Sequence, residues 1–142
     1  ARANPNLNFA ISCMSHLKDD YYDLNESNIY PVFDDANGIL KDADVAIVTS
    51  GTATLETALF NVPQIVCYRA NKLSYMIGKK LVNISFISLV NLILDRELVK
   101  ELIQDDFNLS NIQAELTELL NDKNKLFKPS TKYNIDIFAP LR

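Results

Sequence analysis

The stretch that decides the fold is A-D-V-A-I-V-T-S-G-T-A-T-L-E, residues Ala43 to Glu56. Its apolar part, Val45 to Val48, is continuous and rich in β-branched residues, which predicts a strand buried on both faces and central in its sheet. A short loop rich in hydroxyl groups follows, and Leu55, Ala58 and Leu59 then share one face of a predicted helix. A strand, a tight loop and a helix in this order form the junction at which phosphate-carrying ligands bind in α/β proteins.

The rest of the chain repeats this alternation of strands and helices. Pro63 ends the first long helix, because the residue before a proline avoids the α conformation. Strands that alternate with helices indicate a parallel sheet with right-handed crossovers, so the predicted fold class is α/β with an open parallel sheet flanked by helices. The further predicted strands are Leu7–Ser12, Tyr30–Phe33, Gln64–Tyr68 and Ile84–Leu89, and the predicted helices are a short one after Asp34-Asp35, then Lys72–Val82, Arg96–Gln104 and Ser110–Asn121.

Composition limits the classes of function. The chain has 142 residues, 48% of them apolar, which is enough for one globular domain, expected here over residues 1–122, with a polar tail over 123–142. A net charge of −4 argues against binding to nucleic acid, which needs a basic surface. The two cysteines, Cys13 and Cys67, lie far apart and are expected to be buried free thiols. No stretch is apolar for long enough to cross a bilayer.

The loop after the predicted central strand is the first candidate site. Gly51 allows a tight turn and a close approach of the backbone, while the hydroxyl groups of Ser50, Thr52 and Thr54 suit phosphate oxygens. The loop is neither a Walker loop nor a dinucleotide-binding glycine motif. A nucleophile elbow would need glycine where Val48 stands, so serine hydrolysis is disfavoured.

Glu56 is the unusual residue of this junction. It lies four residues after Thr52, one position too far for a capping box with Thr52 as the cap. On that side of the helix its carboxylate could accept the hydroxyl groups of a sugar such as ribose. The plainer interpretation stays open, namely that Ser50 or Thr52 caps the helix and Glu56 is a favourable acid in its first turn.

A second candidate group follows between Ser88 and Gln104. Asn91 stands within an apolar run, and a buried amide needs partners, which could be backbone groups or a ligand. Glu97, Glu101 and Gln104 recur at helical spacing and could line one face of a helix. The alternative is a solvated face with simple ion pairs, and spacing alone favours that alternative.

Several blocks, taken together, resemble one family. They are S-G-T-A-T-L-E at Ser50–Glu56, P-Q-I-V-C-Y-R at Pro63–Arg69, S-L-V-N-L at Ser88–Leu92 and E-L-I-Q at Glu101–Gln104. Their order and spacing resemble the C-terminal half of lipid-A-disaccharide synthase, over roughly Leu7 to Leu120. Val90 stands where that family usually has proline, and Asp95 replaces a common glycine.

The resemblance implies a GT-B glycosyltransferase, of which this chain would be the Rossmann-like half that binds the nucleotide sugar. The family transfers 2,3-diacylglucosamine from UDP to 2,3-diacylglucosamine 1-phosphate and forms a β-1,6 disaccharide. Ser50, Gly51, Thr52 and Thr54 would face the diphosphate, and Glu56 would bind the ribose. Asn91, Glu101 and Gln104 would be further residues of the donor site.

The resemblance also sets expectations about the surroundings of the chain. Neither a cofactor nor a metal is expected. An N-terminal acceptor domain carrying the general base would precede Ala1, so the chain alone should bind the donor weakly or not at all and should not turn over. Because the substrates are acylated, the protein should work peripherally on the cytoplasmic side of the bacterial inner membrane, and a homodimer is one option.

Two other classes of function stay open on the sequence. The first is a non-enzymatic module for anion binding or assembly, in which the Ser-Gly-Thr loop is only a helix cap. The second is a sugar-nucleotide epimerase with the GT-B fold, which would share a Ser-Gly loop before an acid. Loss of UDP binding on substitution of Glu56 would argue against the first.

Overall fold

A computed structural model describes residues 4–16, 27–49, 51–70 and 85–121 of the chain. The chain divides into two compact units, one up to Ala43 and one from Asp44 onward. Both are built from parallel strands and helices, which confirms the predicted α/β class with Rossmann-like elements. The predicted helix Lys72–Val82 and the predicted tail lie outside the described residues, as does Ser50.

The first unit is a parallel strand pair with one helix. Strand β1 (Phe9–Cys13) pairs with β2 (Ile29–Phe33), in a register that places Phe9 beside Ile29 and Cys13 beside Phe33. Helix α1 (Ala36–Asp42) follows, and the Asp35 carboxylate accepts a hydrogen bond from the Gly38 amide at 2.8 Å. A side-chain cap of this kind satisfies an amide that the helix itself leaves unpaired. The two predicted strands and the predicted short helix are therefore confirmed.

The second unit contains a three-stranded parallel sheet. Strand β3 (Ala46–Thr49) leads into α2 (Thr52–Leu59), and β4 (Gln64–Tyr68) lies between β3 and β5 (Lys100–Ile103). Helix α3 (Leu89–Leu94) lies between β4 and β5 in sequence. A 3₁₀ turn (Gln104–Asp106) and helix α4 (Leu109–Asn121) follow β5.

The strand buried on both faces is β4, not β3. Residues Gln64 to Cys67 are all buried, whereas β3 alternates and leaves Ile47 46% exposed. Among the described strands β3 lies at an edge of its sheet, so the prediction of a central β3 was wrong. The apolar run of β3 is long enough for a strand but does not say how many neighbours cover it.

The core of the second unit lies between the sheet and two helices. Ala58 of α2, Val66 of β4, Val90 of α3 and Val99 form a buried cluster, against which further aliphatic side chains pack. Leu55 joins this cluster, as predicted. Leu59, placed on the same helix face by its spacing, is instead 48% exposed. Helix α4 contacts β4 and β5 and buries Leu116.

Two predicted elements in the second half of the chain are corrected. Residues 85–89 were expected in a strand, but Ser88 caps α3 and the helix begins at Leu89. The predicted helix Arg96–Gln104 is replaced by strand β5, which pairs Glu101 with Val66 and Ile103 with Tyr68. Pairing with a buried central strand overrides the local helical spacing of this segment. Glu97, Glu101 and Gln104 consequently do not share a helix face.

Candidate functional site

The three strands of the second unit end at one edge of the sheet. Because β3, β4 and β5 are parallel and adjacent, the residues that follow their carboxyl ends lie at the same edge. Gly51 and Thr52 follow β3, Arg69 follows β4 and Gln104 follows β5. In open α/β sheets this is the edge at which ligands bind.

Gly51 makes the turn from β3 into α2. Its φ is 125° and its ψ is −158°, a conformation that is essentially restricted to glycine. Gly51 is the N-cap residue of α2, so Thr52 is the first helical residue and does not cap the helix. Glycine is therefore required here for backbone conformation, as the sequence predicts.

The N-terminus of α2 differs from the other described helix starts. Asp35 caps α1, Ser88 caps α3 and Asn108 accepts from the Asn111 amide in the first turn of α4. No side-chain cap hydrogen bond occurs at Gly51 among the described residues. The first turn of α2 thus presents backbone amides and the positive end of the helix dipole at the edge of the sheet. An anion is the natural partner of such a group.

Thr54 stabilises this turn by hydrogen bonds to the Gly51 carbonyl. It is fully buried, and its hydroxyl donates to the Gly51 carbonyl at 2.8 Å, the same carbonyl that accepts from the Thr54 amide at 3.1 Å. The Gln64 side chain in turn donates to the Thr54 carbonyl at 2.9 Å. The hydroxyl therefore fixes the loop, and a direct contact between Thr54 and a diphosphate stays a prediction.

Glu56 lies in the second turn of α2, on the exposed surface. It is not an acid of the first turn, so that part of the plainer interpretation is wrong. Among the described residues no hydrogen bond or ion pair holds its carboxylate. The carboxylate is thus exposed beside the α2 N-terminus, where it can accept hydroxyl groups. Its predicted role as a ribose ligand stays a prediction.

Asn91 is fully buried, and its amide is satisfied by the protein itself. Its Nδ2 donates to the Val99 carbonyl and to Glu101 Oε1, both at 2.8 Å. Its Oδ1 accepts from the amides of Leu98 at 2.8 Å and Val99 at 3.0 Å. With two donors and two acceptors engaged, the side chain shapes the turn between α3 and β5.

Glu101 completes this network from the middle of β5. Its two carboxylate oxygens accept from the amides of Ile87 at 2.8 Å and Ser88 at 2.9 Å, directly before α3. The protein's own carboxylate thus occupies amides that could otherwise hold an anion at α3. Asn91 and Glu101 are brought together, but in a structural network, and their predicted contact with a donor stays a prediction.

Val90 and Asp95, the two positions at which the sequence departs from the family pattern, are compatible with the observed geometry of α3. Asp95 ends α3 in the left-handed conformation, with φ 48°, which is the conformation a glycine adopts most easily there. Aspartate tolerates this region better than most residues. Val90 is the second residue of α3 and is fully buried, and the first turn of a helix also tolerates proline. Both positions therefore keep the local fold around Asn91.

Gln104 lies at the edge of the sheet with a strained backbone. Its φ is 55°, outside the usual range for a residue with a side chain. Its Nε2 is buried and has no hydrogen-bond partner among the described residues. Arg69, which site prediction from sequence missed, donates to the Gln104 carbonyl at 3.4 Å. The sequence contained a signal for Arg69, because it directly follows the strand β4, just as the Gly51 loop follows β3.

Further features of the described residues bear on the chemistry. Cys13 and Cys67 are both free and buried, as predicted, and burial raises the pKa of the Cys67 thiol. Within the described ranges no group of three His, Cys, Asp or Glu side chains is arranged to hold a metal ion. The same ranges contain no helix long and apolar enough to cross a membrane.

The fold and this edge are those of a Rossmann-like α/β protein. A model of the lipid-A-disaccharide synthetase family matches residues 14–139 of the chain. The chain belongs to the lipid-A-disaccharide synthase family, which confirms the resemblance drawn from the sequence blocks.

Individual relatives carry the same family name. The lipid-A-disaccharide synthase of Sulfurihydrogenibium sp. is 40% identical over 114 residues, which are 80% of this chain and 29% of that protein. The enzyme of Psychromonas ingrahamii is 46% identical over 94 residues, which are 66% of this chain and 25% of that protein. The chain therefore spans about a quarter of the length of the curated relatives it matches.

Proposed function

We propose that this chain is the donor-binding part of a glycosyltransferase of lipid A biosynthesis. The reaction would transfer 2,3-diacylglucosamine from UDP to 2,3-diacylglucosamine 1-phosphate and form the β-1,6 disaccharide. Membership of the family supports the proposal. The observation that carries it is the start of α2, which has a glycine N-cap without a side-chain cap at the ligand-binding edge of a parallel sheet.

The diphosphate of the donor would bind at the first turn of α2. The amides of Thr52 and Ala53 belong to the first turn and can donate to phosphate oxygens. The same groups would stabilise the negative charge that develops on UDP as the bond between its β-phosphate and the sugar breaks and the acceptor hydroxyl forms the new glycosidic bond. This stabilisation is preorganised, because Thr54 and the glycine turn already fix the loop.

The carboxylate of Glu56 would bind the ribose. A helix rises about 1.5 Å per residue, so Glu56 lies about 7.5 Å further along α2 than Gly51. A glutamate side chain leans back toward the N-terminus of its helix, and this leaves room for a ribose between the carboxylate and the diphosphate. A carboxylate directly against the diphosphate would repel it, whereas ribose hydroxyl groups are donors that a carboxylate accepts.

The acyl chains of the proposed substrates would hold the reaction at a membrane surface. We therefore propose a peripheral location on the cytoplasmic side of the bacterial inner membrane. The acceptor would bind outside the described residues, and so would the general base.

The proposal is tested by titrating the 142-residue chain with UDP. We expect binding that Glu56→Gln weakens by about 10-fold or more, since a hydrogen bond to a charged group contributes about 1.5–3 kcal/mol. Glu97→Gln is the matched control, because it removes the same charge from an exposed residue away from this edge. Unchanged affinity in Glu56→Gln would favour the non-enzymatic module.

A chimera tests the activity itself. The matching 114-residue segment of the Sulfurihydrogenibium enzyme is replaced by the corresponding segment of this chain. Disaccharide formation from the two acylated substrates is the expected result, and Glu56→Gln in the chimera should raise the donor KM. A folded chimera that binds UDP and interconverts UDP-sugar epimers, without transfer, would support the epimerase instead.

A further inference from the structure

The turn after β5 is held by a cation from the neighbouring strand. Arg69 Nη2 donates to the carbonyl of Phe107 at 2.5 Å and to that of Gln104 at 3.4 Å. Its guanidinium lies 5.1 Å from the centre of the Phe107 ring, a cation–π contact. Arg69 therefore fixes both ends of the 3₁₀ turn, although its side chain is exposed.

The turn held in this way contains a residue under strain. Gln104 has a φ of 55°, a conformation that is unfavourable for a residue with a β-carbon. Such a conformation persists where its surroundings impose it, and Arg69 contacts the carbonyl groups at both ends of this turn, while the Phe107 amide also donates to the Gln104 carbonyl at 3.3 Å. Strain of this kind concentrates at ligand-binding sites.

The same residue carries an unused donor. Gln104 Nε2 is buried without a hydrogen-bond partner among the described residues, which costs free energy unless a ligand supplies an acceptor. The other buried amide with an unpaired atom, Gln64, keeps its Nε2 bonded to the Thr54 carbonyl. Gln64 begins β4, so it lies at the opposite end of the sheet from Gln104.

We propose that Arg69 is a positioning residue for the donor site. It holds the turn after β5 so that the Gln104 carboxamide donates to an oxygen of the bound nucleotide sugar. This inference rests on the proposed function. Arg69 is proposed to act through Gln104, because the contacts that the structure gives its Nη2 are with the carbonyl groups at the two ends of this turn.

A double-mutant cycle tests the inference. Affinity for UDP-2,3-diacylglucosamine in detergent is measured for the unaltered chain, Arg69→Met, Gln104→Ala and the double variant. Gln104→Ala should weaken binding by about 3- to 10-fold, the effect of one neutral hydrogen bond. Arg69→Met should have a similar effect alone but less than about 2-fold in the Gln104→Ala background, because residues that act together are not additive.

Two further variants separate positioning from general stability. Arg69→Lys keeps the charge but not the planar group that reaches two carbonyls, so it should restore only part of the affinity. Lys41→Met, which removes an exposed cation from the last turn of α1 in the first unit, is the control and should bind as the unaltered chain does. Variants are compared only when their melting temperatures agree within a few degrees, and the ¹⁵N side-chain amide signal of Gln104 reports its position directly.

The outcomes distinguish this inference from the proposed function. If neither the unaltered chain nor the chimera binds donor, the proposed function fails. If it binds donor and the effects of Arg69→Met and Gln104→Ala simply add, the donor site stands and the positioning role is overturned. An unshifted Gln104 side-chain amide signal in Arg69→Met would also overturn it.

Discussion

Replacing Asn91 with alanine is expected to destabilise the second unit strongly. The substitution removes a fully buried amide with four hydrogen bonds. The Leu98 amide and both backbone groups of Val99 lose a partner, and so does the Glu101 carboxylate. Each buried group left unpaired costs about 1–3 kcal/mol, and these costs overlap. We therefore expect the free energy of unfolding to fall by about 3–5 kcal/mol, a large part of the roughly 5–15 kcal/mol of a typical domain.

Urea denaturation followed by circular dichroism measures this loss. Asn121→Ala, at the exposed end of α4, is the control and should change stability by less than about 0.5 kcal/mol. Asn91→Asp keeps the side-chain size but loses both donors and sets a second carboxylate against Glu101. Its destabilisation should therefore shrink as the pH is lowered and the new carboxyl group is protonated. A loss below about 1 kcal/mol in Asn91→Ala would refute the view that this network shapes the turn between α3 and β5.

Three further predictions follow from single residues. Gly51→Ala should lower the free energy of unfolding by about 1–3 kcal/mol and abolish UDP binding, because the φ angle at this position is unfavourable for alanine. The added β-carbon itself meets no atom within 4 Å. Calorimetry with and without UDP measures both effects. Hydrogen bonds from Ser15 lower the pKa of Asp34. The contribution of the Asp34 carboxylate to stability should therefore be complete above the ordinary carboxyl pKa and should be lost as the pH falls through the lowered pKa of the folded protein. Asp34→Asn should remove that part of the pH dependence of unfolding, followed by NMR. The Cys67 thiol should react with a thiol reagent at pH 8 only when the chain unfolds, because the thiol is buried and its pKa is raised. Rapid reaction in the folded chain would contradict this burial.

The sequence predicted best where local signals agreed with long-range packing. Gln64–Tyr68 was predicted with the bounds it has, because a β-branched run after proline leaves few alternatives to a buried strand. The segment from Arg96 to Gln104 was predicted wrongly as a helix. Its leucines and glutamates have helical spacing, and only the pairing with β4 makes part of it a strand. The capping signal of Ser88 was available but was overlooked in favour of the apolar run.

In the candidate site, too, contacts between residues close in sequence were predictable and contacts between distant residues were not. The junction at Gly51 was predictable because a strand, a loop and a helix follow one another directly in sequence. The link between Asn91 and Glu101 was not, because it depends on the pairing register that brings β5 beside the start of α3. The positions of Arg69 and Gln104 at one edge likewise depend on the strand order. Hydrogen bonds between residues distant in sequence have no local signature.

The proposed function depends on whether the start of α2 binds the UDP part of a sugar donor. The most direct measurement is a ¹H–¹⁵N NMR titration of the 142-residue chain with UDP and, separately, with ADP as the adenine counterpart. UDP should shift the amide signals from Gly51 to Glu56, and ADP, which shares the diphosphate and the ribose but not the base, should shift them less. Unshifted signals at millimolar UDP, in a folded chain, would contradict UDP binding at the start of α2.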